Sequence, residues 1–125
     1  MHKVLISLAS NHEQEKNLCA ARQALAQILS ACVYTDAIWT EPVAGSPSQM
    51  KYLNQLVSAQ TKLNADELTC FLKQIELQMG RTPQMRQKKI VPIDLDLLAY
   101  DGVRHHERDW QRSYVKQLLS LLSQL

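Results

Sequence analysis

Two aspartates one residue apart, Asp94 and Asp96, sit in the run Ile93-Asp94-Leu95-Asp96-Leu97-Leu98-Ala99-Tyr100. Apolar residues recur there with period two, so a strand puts Ile93, Leu95, Leu97 and Ala99 on one face. Asp94 and Asp96 then share the opposite face, roughly 6.5–7 Å apart along the strand. Carboxylates that close repel each other unless a cation lies between or in front of them. Magnesium takes one or two carboxylates and keeps the rest of its shell for water and phosphate oxygen, which suits a nucleotide site. Upstream, residues 77–93 hold no acid but include Arg81, Arg86, Lys88 and Lys89. A cationic loop running into a paired-carboxylate strand is the charge arrangement that phosphoryl transfer uses. Each part alone has a plainer reading, the strand as a charged solvent face and the loop as a surface turn. Their adjacency favours the chemistry.

The chain of 125 residues is long enough for one domain, 1–125, with a genuine core. Hydrophobic residues are 46% and charged residues 21%, a globular balance, and a net charge of +2 is too small to imply a nucleic-acid or membrane partner. Cys19, Cys32 and Cys70 lack metal-ligand spacing, and reduced thiols in a cytoplasmic protein fit them. No signal peptide, apolar run of membrane length, or Walker, Rossmann or zinc motif is apparent.

The elements that must position the aspartates follow from pattern. Residues 3–8 read as a buried strand, and Asn11 as an N-cap ahead of a helix whose face is Leu18, Ala21, Leu25 and Ile28. Residues 32–39 read as a second strand and 52–61 as a third, separated by a Pro- and Gly-containing loop over 41–49. Asn64-Ala65-Asp66-Glu67 is a capping box opening a helix with apolar residues Leu68, Phe71, Leu72, Ile75 and Met79, which stops at Gly80. Residues 81–92 read as a loop and 93–100 as the fourth strand. From about Trp110 a terminal helix carries Tyr114, Leu118, Leu121, Leu122 and Leu125. The order is β-α-β-β-α-β plus a C-terminal helix, a ferredoxin-like α+β sandwich.

Topology alone names no function. Several short elements occur here together in a fixed order: Ser10-Asn11, Trp39-Thr40-Glu41-Pro42, Tyr52-Leu53-Asn54, Ile75-Glu76-Leu77-Gln78-Met79-Gly80-Arg81 and Ile93-Asp94-Leu95-Asp96-Leu97-Leu98. In that order the chain resembles the 6-hydroxymethyl-7,8-dihydropterin pyrophosphokinases of the folate pathway, over essentially residues 3–100. The resemblance implies transfer of diphosphate from ATP to the hydroxymethyl group of a reduced pterin, with release of AMP. It implies two Mg²⁺ ions held by Asp94 and Asp96, with ATP as co-substrate. Arg81, Arg86, Lys88 and His106 fall to the nucleotide, and Pro42, Tyr52, Asn54, Arg112 and Tyr114 to the pterin. Arg81, Asp94 and Asp96 fall to catalysis, and residues 81–92 to a basic segment that closes over the nucleotide.

The departures are specific. Ala9 stands where the family has glycine, Lys88 where it has a stacking tryptophan, and Val91 where it has an arginine. Lysine does not reproduce the bidentate fork of arginine. Residues 101–105 are brief for the strand pair the family has there, and its C-terminal extension is missing. His106, Arg112 and Tyr114 keep the spacing of the family's His and Arg-x-aromatic elements. Two outcomes are compatible with this pattern: a short, slow pyrophosphokinase, or a degenerate relative that binds pterin or nucleotide or serves as a dimeric interaction module. The expected partners are the two small substrates, with no nucleic acid or membrane, in a monomer or weak homodimer.

Overall fold

The computed structural model describes residues 1–41 and 50–122. Strand β1 (His2–Ser10) runs through the centre of a six-stranded antiparallel sheet. It is flanked by β4 (Tyr52–Thr61) on one side and β5 (Asp94–Tyr100) on the other. Beyond β4 lie β2 (Ser30–Tyr34) and β3 (Ile38–Thr40), and beyond β5 lies β6 (Val103–Arg104). Leaving β6 aside, the order second-third-first-fourth of the sequence-derived strands is that of a ferredoxin-like sheet.

The second strand is interrupted where one was expected over 32–39. Thr35 is buried, and its hydroxyl accepts the Leu56 N–H at 3.1 Å while its own N–H donates to the Leu56 carbonyl at 3.0 Å. Those bonds replace regular ladder pairing and separate β2 from β3, both of which still pair with β4. Trp39 is 52% exposed on this edge.

Helices α1 (Gln14–Leu25) and α2 (Ala65–Gln78) cover one face of the sheet. Val4, Ile6 and Leu8 of β1, Leu53 and Val57 of β4, and Leu95 and Leu97 of β5 meet Leu18, Leu25, Leu68 and Leu72 there. Burying each such side chain contributes about 1.5–3 kcal/mol. The capping box at Asn64 and Glu67 forms in both directions, at 2.8 and 3.0 Å. Asn11, however, does not cap α1; the cap position is Glu13, in a left-handed conformation without a capping bond.

The other face is covered only in part. After the one-turn helix α4 (Glu107–Trp110), α5 (Ser113–Leu122) lays Val115 and Leu118 over Leu56 and Leu98. The predicted terminal helix is thus two helices, and its leucines up to Leu122 find partners on the chain's own sheet; Leu125 lies outside the described residues. A bulge shifts the β1–β5 register, so that Ile6 faces Leu97 but Leu5 faces Ala99. This moves Ala99 off the face it was expected to share with Leu95 and Leu97, and Tyr100 joins the α1–α2 core instead. Upstream of the bulge the alternation holds, and Asp94 and Asp96 lie on the α5 face.

Candidate active site

The register builds the site before any side chain is considered. Ala9 pairs with Asn54 on one side and Asp94 on the other, so these three residues form a row across the sheet. Thr40 pairs with Tyr52 one step further out. Since α5 begins only at Ser113, this end of the sheet is left uncovered, and a cleft of about 570 Å³ opens over it. Its walls include Ala9, Thr40, Tyr52, Asn54, Asp94, Arg112 and Tyr114. Ala9, the smallest member of the row, keeps the floor open between Asn54 and Asp94.

Asn54 is buried, and its amide N–H groups donate to Thr40 Oγ1 at 2.8 Å and the Ile38 carbonyl at 3.3 Å. With the nitrogen so occupied, the side-chain oxygen is the group suited to accept a ligand N–H. Tyr52 is raised by burial first and then by the Asp94 charge, against Arg81 and Arg112. Burial also raises Tyr114, opposed by Arg112 and reinforced by Asp109, Asp94 and Asp96. Both phenols therefore remain neutral hydrogen-bonding groups at physiological pH.

The carboxylate pair has its own electrostatics. Asp96 is pushed up to about 7, first by burial, then by the Asp94 charge and a hydrogen bond to Asp94, then by Asp109, with Lys73 opposing. Burial and the neighbouring Asp94 charge therefore favour the protonated form of Asp96. Asp94 also accepts from Arg81 Nη1 at 2.9 Å, and the same nitrogen lies 3.0 Å from Glu76 Oε2. Glu76, on α2, is buried. It accepts the Leu95 N–H at 2.8 Å, and Lys73 Nζ lies 3.6 Å away. Burial is the largest influence on Glu76 and raises its pKa, against the Leu95 N–H, Arg81 and Lys73. The signal was present in the sequence: Glu76 follows Leu68 and Leu72 at successive four-residue steps, on the buried stripe. Arg81 is itself raised, with burial opposing and the Asp94 charge and hydrogen bond, Glu76 and Asp96 prevailing.

Two hard oxygen donors at the edge of an open cleft, whose mutual repulsion a dication would relieve, fit magnesium. No cluster of three or more metal-ligating side chains occurs among the described residues, so the remaining ligands of such an ion would be water and phosphate.

The segment 81–92 is not a plain loop. Thr82 caps a short helix α3 (Pro83–Gln87), accepting the Met85 N–H at 3.3 Å. Arg86 and Lys88 are exposed on and just after this turn, and neither lines the cleft described above. The segment's end is fixed by Asn11, whose Oδ1 accepts the Val91 N–H at 2.6 Å and whose Nδ2 donates to the Lys89 carbonyl at 2.9 Å. His106 is an αL residue ahead of α4, outside the cleft wall. Pro42 lies outside the described residues. The structure therefore brings Tyr52, Asn54, Arg81, Asp94, Asp96, Arg112 and Tyr114 into one neighbourhood. It does not gather Arg86, Lys88 and His106 there. Asp109, unmarked at the sequence level, joins the site by gripping Arg112 Nε at 3.1 Å.

A ferredoxin-like sheet with a carboxylate pair, a bridging arginine and an amide-floored cleft at its open end defines the class: an α+β protein with a polar, charged cleft at the open end of its sheet. Residues 5–124 match the family model described as 7,8-dihydro-6-hydroxymethylpterin-pyrophosphokinase, and the chain belongs to that family. It is 36% identical over 124 residues to a mitochondrial folate synthesis bifunctional protein of Arabidopsis thaliana, covering 91% of this chain and 22% of the relative. A mitochondrial folate synthesis bifunctional protein of Pisum sativum is 43% identical over 75 residues, covering 54% and 14%. A further folate synthesis bifunctional protein of Arabidopsis thaliana is 36% identical over 93 residues, covering 68% and 18%. The chain thus spans about a fifth of the length of these relatives or less.

Proposed function

We propose that this chain transfers the β,γ-diphosphoryl group of ATP to 6-hydroxymethyl-7,8-dihydropterin, with Mg²⁺ bound at Asp94 and Asp96. The hydroxymethyl oxygen attacks the β-phosphorus, and the bond from that phosphorus to the α,β-bridging oxygen breaks. The bridging oxygen leaves with AMP, and the hydroxyl proton is lost to solvent. The observation that carries this reading is the row Asn54–Ala9–Asp94, which sets a ring-reading amide and a metal-type carboxylate on either side of one small residue. Bound magnesium would neutralise triphosphate charge. The chain's own residues do the rest by position. Asn54 offers its oxygen to the pterin's N–H edge, Tyr52 and Tyr114 line the ring site, and Pro42 is assigned to the same site by family resemblance. Arg81, tethered by Glu76, can stay beside Asp94 while a phosphate oxygen arrives. Arg86 and Lys88 are nucleotide contacts only after the 81–92 segment closes, and His106 is assigned to the nucleotide by family resemblance.

Turnover is expected to be slow. The Asn11 clamp on Val91 uses backbone groups, so valine satisfies it but supplies no guanidinium. Losing one transition-state donor costs about 10²–10³ in rate. Free thiols at Cys19, Cys32 and Cys70 suit a reducing compartment, and we place the protein in the cytoplasm as a monomer or weak homodimer. No helix among the described residues is long and apolar enough to cross a membrane.

The test is AMP formation from ATP and Mg²⁺ with and without the hydroxymethyl pterin. Pterin-dependent AMP, abolished by EDTA and by Asp94→Asn with Asp96→Asn, is expected. A folded protein that binds MgATP or pterin but releases no AMP would replace the enzyme reading with the binding-module reading.

A further inference from the structure

Asp109 stands on α4, far along the chain from the carboxylate pair, and no role above uses it beyond its contact. Its side chain is only 19% exposed although α4 is a single surface turn. Oδ1 lies 3.1 Å from Arg112 Nε in an ion pair whose arginine side chain is 53% exposed, and the backbone repeats the link, the Arg112 N–H donating to the Asp109 carbonyl at 3.1 Å. An exposed ion pair at this spacing normally does little. This one differs because its arginine lines the cleft, together with Ser113 and Tyr114, in the wall that also contains Asp94.

The ion pair is formed at Nε, and the two terminal nitrogens of a guanidinium form a donor pair suited to two oxygens of one phosphate. Arg112 and Arg81 both act on the Tyr52 phenol, as does Asp94, so the two arginines converge on the region where the pterin site meets the carboxylates. α4 and α5 are joined at this point by the bond from Arg112 to Asp109 and the next from Lys116 to the Arg112 carbonyl at 3.2 Å. The arginine backbone is therefore fixed, and the side-chain direction is what Asp109 decides.

We propose that Asp109 is a positioning residue that holds the Arg112 guanidinium in the cleft, so that its terminal nitrogens meet the oxygens of the transferred diphosphoryl group, in place of the pterin contact that family resemblance assigns to Arg112. This deepens the proposed function and rests on it.

The experiment measures AMP release at saturating MgATP and pterin, with pterin affinity and thermal midpoint alongside, for wild type, Asp109→Asn, Asp109→Glu, Arg112→Ala and Asp109→Asn with Arg112→Ala. Asp109→Asn should lower kcat about tenfold, with pterin Kd changed less than about twofold and the fold intact. Asp109→Glu should restore most of the loss. In the Arg112→Ala background the asparagine should have no further effect, because the group it positions is gone. An equal loss with and without Arg112, or an unchanged kcat in an otherwise wild-type protein, overturns the inference alone. A wild type without pterin-dependent AMP overturns the proposed function and takes this inference with it.

Discussion

In metal-free protein the carboxylate pair should make stability fall as pH rises, and Asp96→Asn should remove that dependence. Asp96 is raised from 3.8 to about 7 by burial and by the Asp94 charge. A carboxyl whose folded value lies above its unfolded value lends stability that is fully present below 3.8 and is lost as pH climbs through about 7. The span between those values corresponds to roughly 4 kcal/mol at 1.36 kcal/mol per pH unit. Solvent reaching a half-buried group at an open cleft reduces this to about 2 kcal/mol. Asparagine is neutral at every pH, and its amide can still donate to Asp94. In EDTA at pH 8 the variant should therefore be more stable than wild type by about 2 kcal/mol, or roughly 6–10 °C in Tm for a chain of this size. The difference should shrink to a few tenths of a kcal/mol by pH 4.5. Thermal unfolding of both proteins across that range reads it directly. A gap that does not change with pH, or an asparagine variant that melts below wild type at pH 8, would refute the assignment of repulsion to this pair.

Three further outcomes follow from the packing. Glu76→Ala should cost about 3 kcal/mol in urea unfolding, since it orphans the Leu95 N–H and removes one of Arg81's two anions. Glu76→Gln, which keeps an acceptor for that N–H, should cost less than half as much; equal losses would show that the charge, not the hydrogen bond, dominates. Leu118→Ala should cost about 2–5 kcal/mol by the same measurement, because Leu118 is fully buried between α5 and the sheet, and a loss below 1 kcal/mol would mean α5 is not integral to the fold. Asn11→Ala should cost about 1–3 kcal/mol and speed limited proteolysis within 81–92, whereas an unchanged cleavage rate would show that the clamp does not order that segment.

The sequence made legible what depends on period and on local hydrogen bonding. Alternation placed Asp94 and Asp96 on one face, and the Asn64–Glu67 box capped α2 as expected, because those features need only near neighbours. Asn11 was misread because an N-cap and a loop clamp use the same side-chain oxygen, and only the approach of Val91 decides between them. Ala99 changed faces because a bulge needs a partner strand to exist. The break at Thr35 is likewise set by a distant residue, Leu56. Of the residues assigned to the site, those on strands or beside the carboxylates converge. Arg86 and Lys88 sit on an element whose direction no strand register fixes.

The segment between Arg81 and Val91 is fastened at both ends, by Glu76 and Asp94 on one side and by Asn11 on the other. One attachment lies on α2 and β5 and the other in the bend directly after β1, so the stretch between them works as a replaceable cassette. Lengthening it would add little closure entropy, about 0.6 kcal/mol for each doubling. Neither fastening would need to move, and the carboxylates would not register the change. A lineage could therefore rewrite the number and kind of cations there, including the tryptophan and arginine replaced here by Lys88 and Val91, without renegotiating the sheet. The same property makes the cassette a practical graft site for other basic sequences.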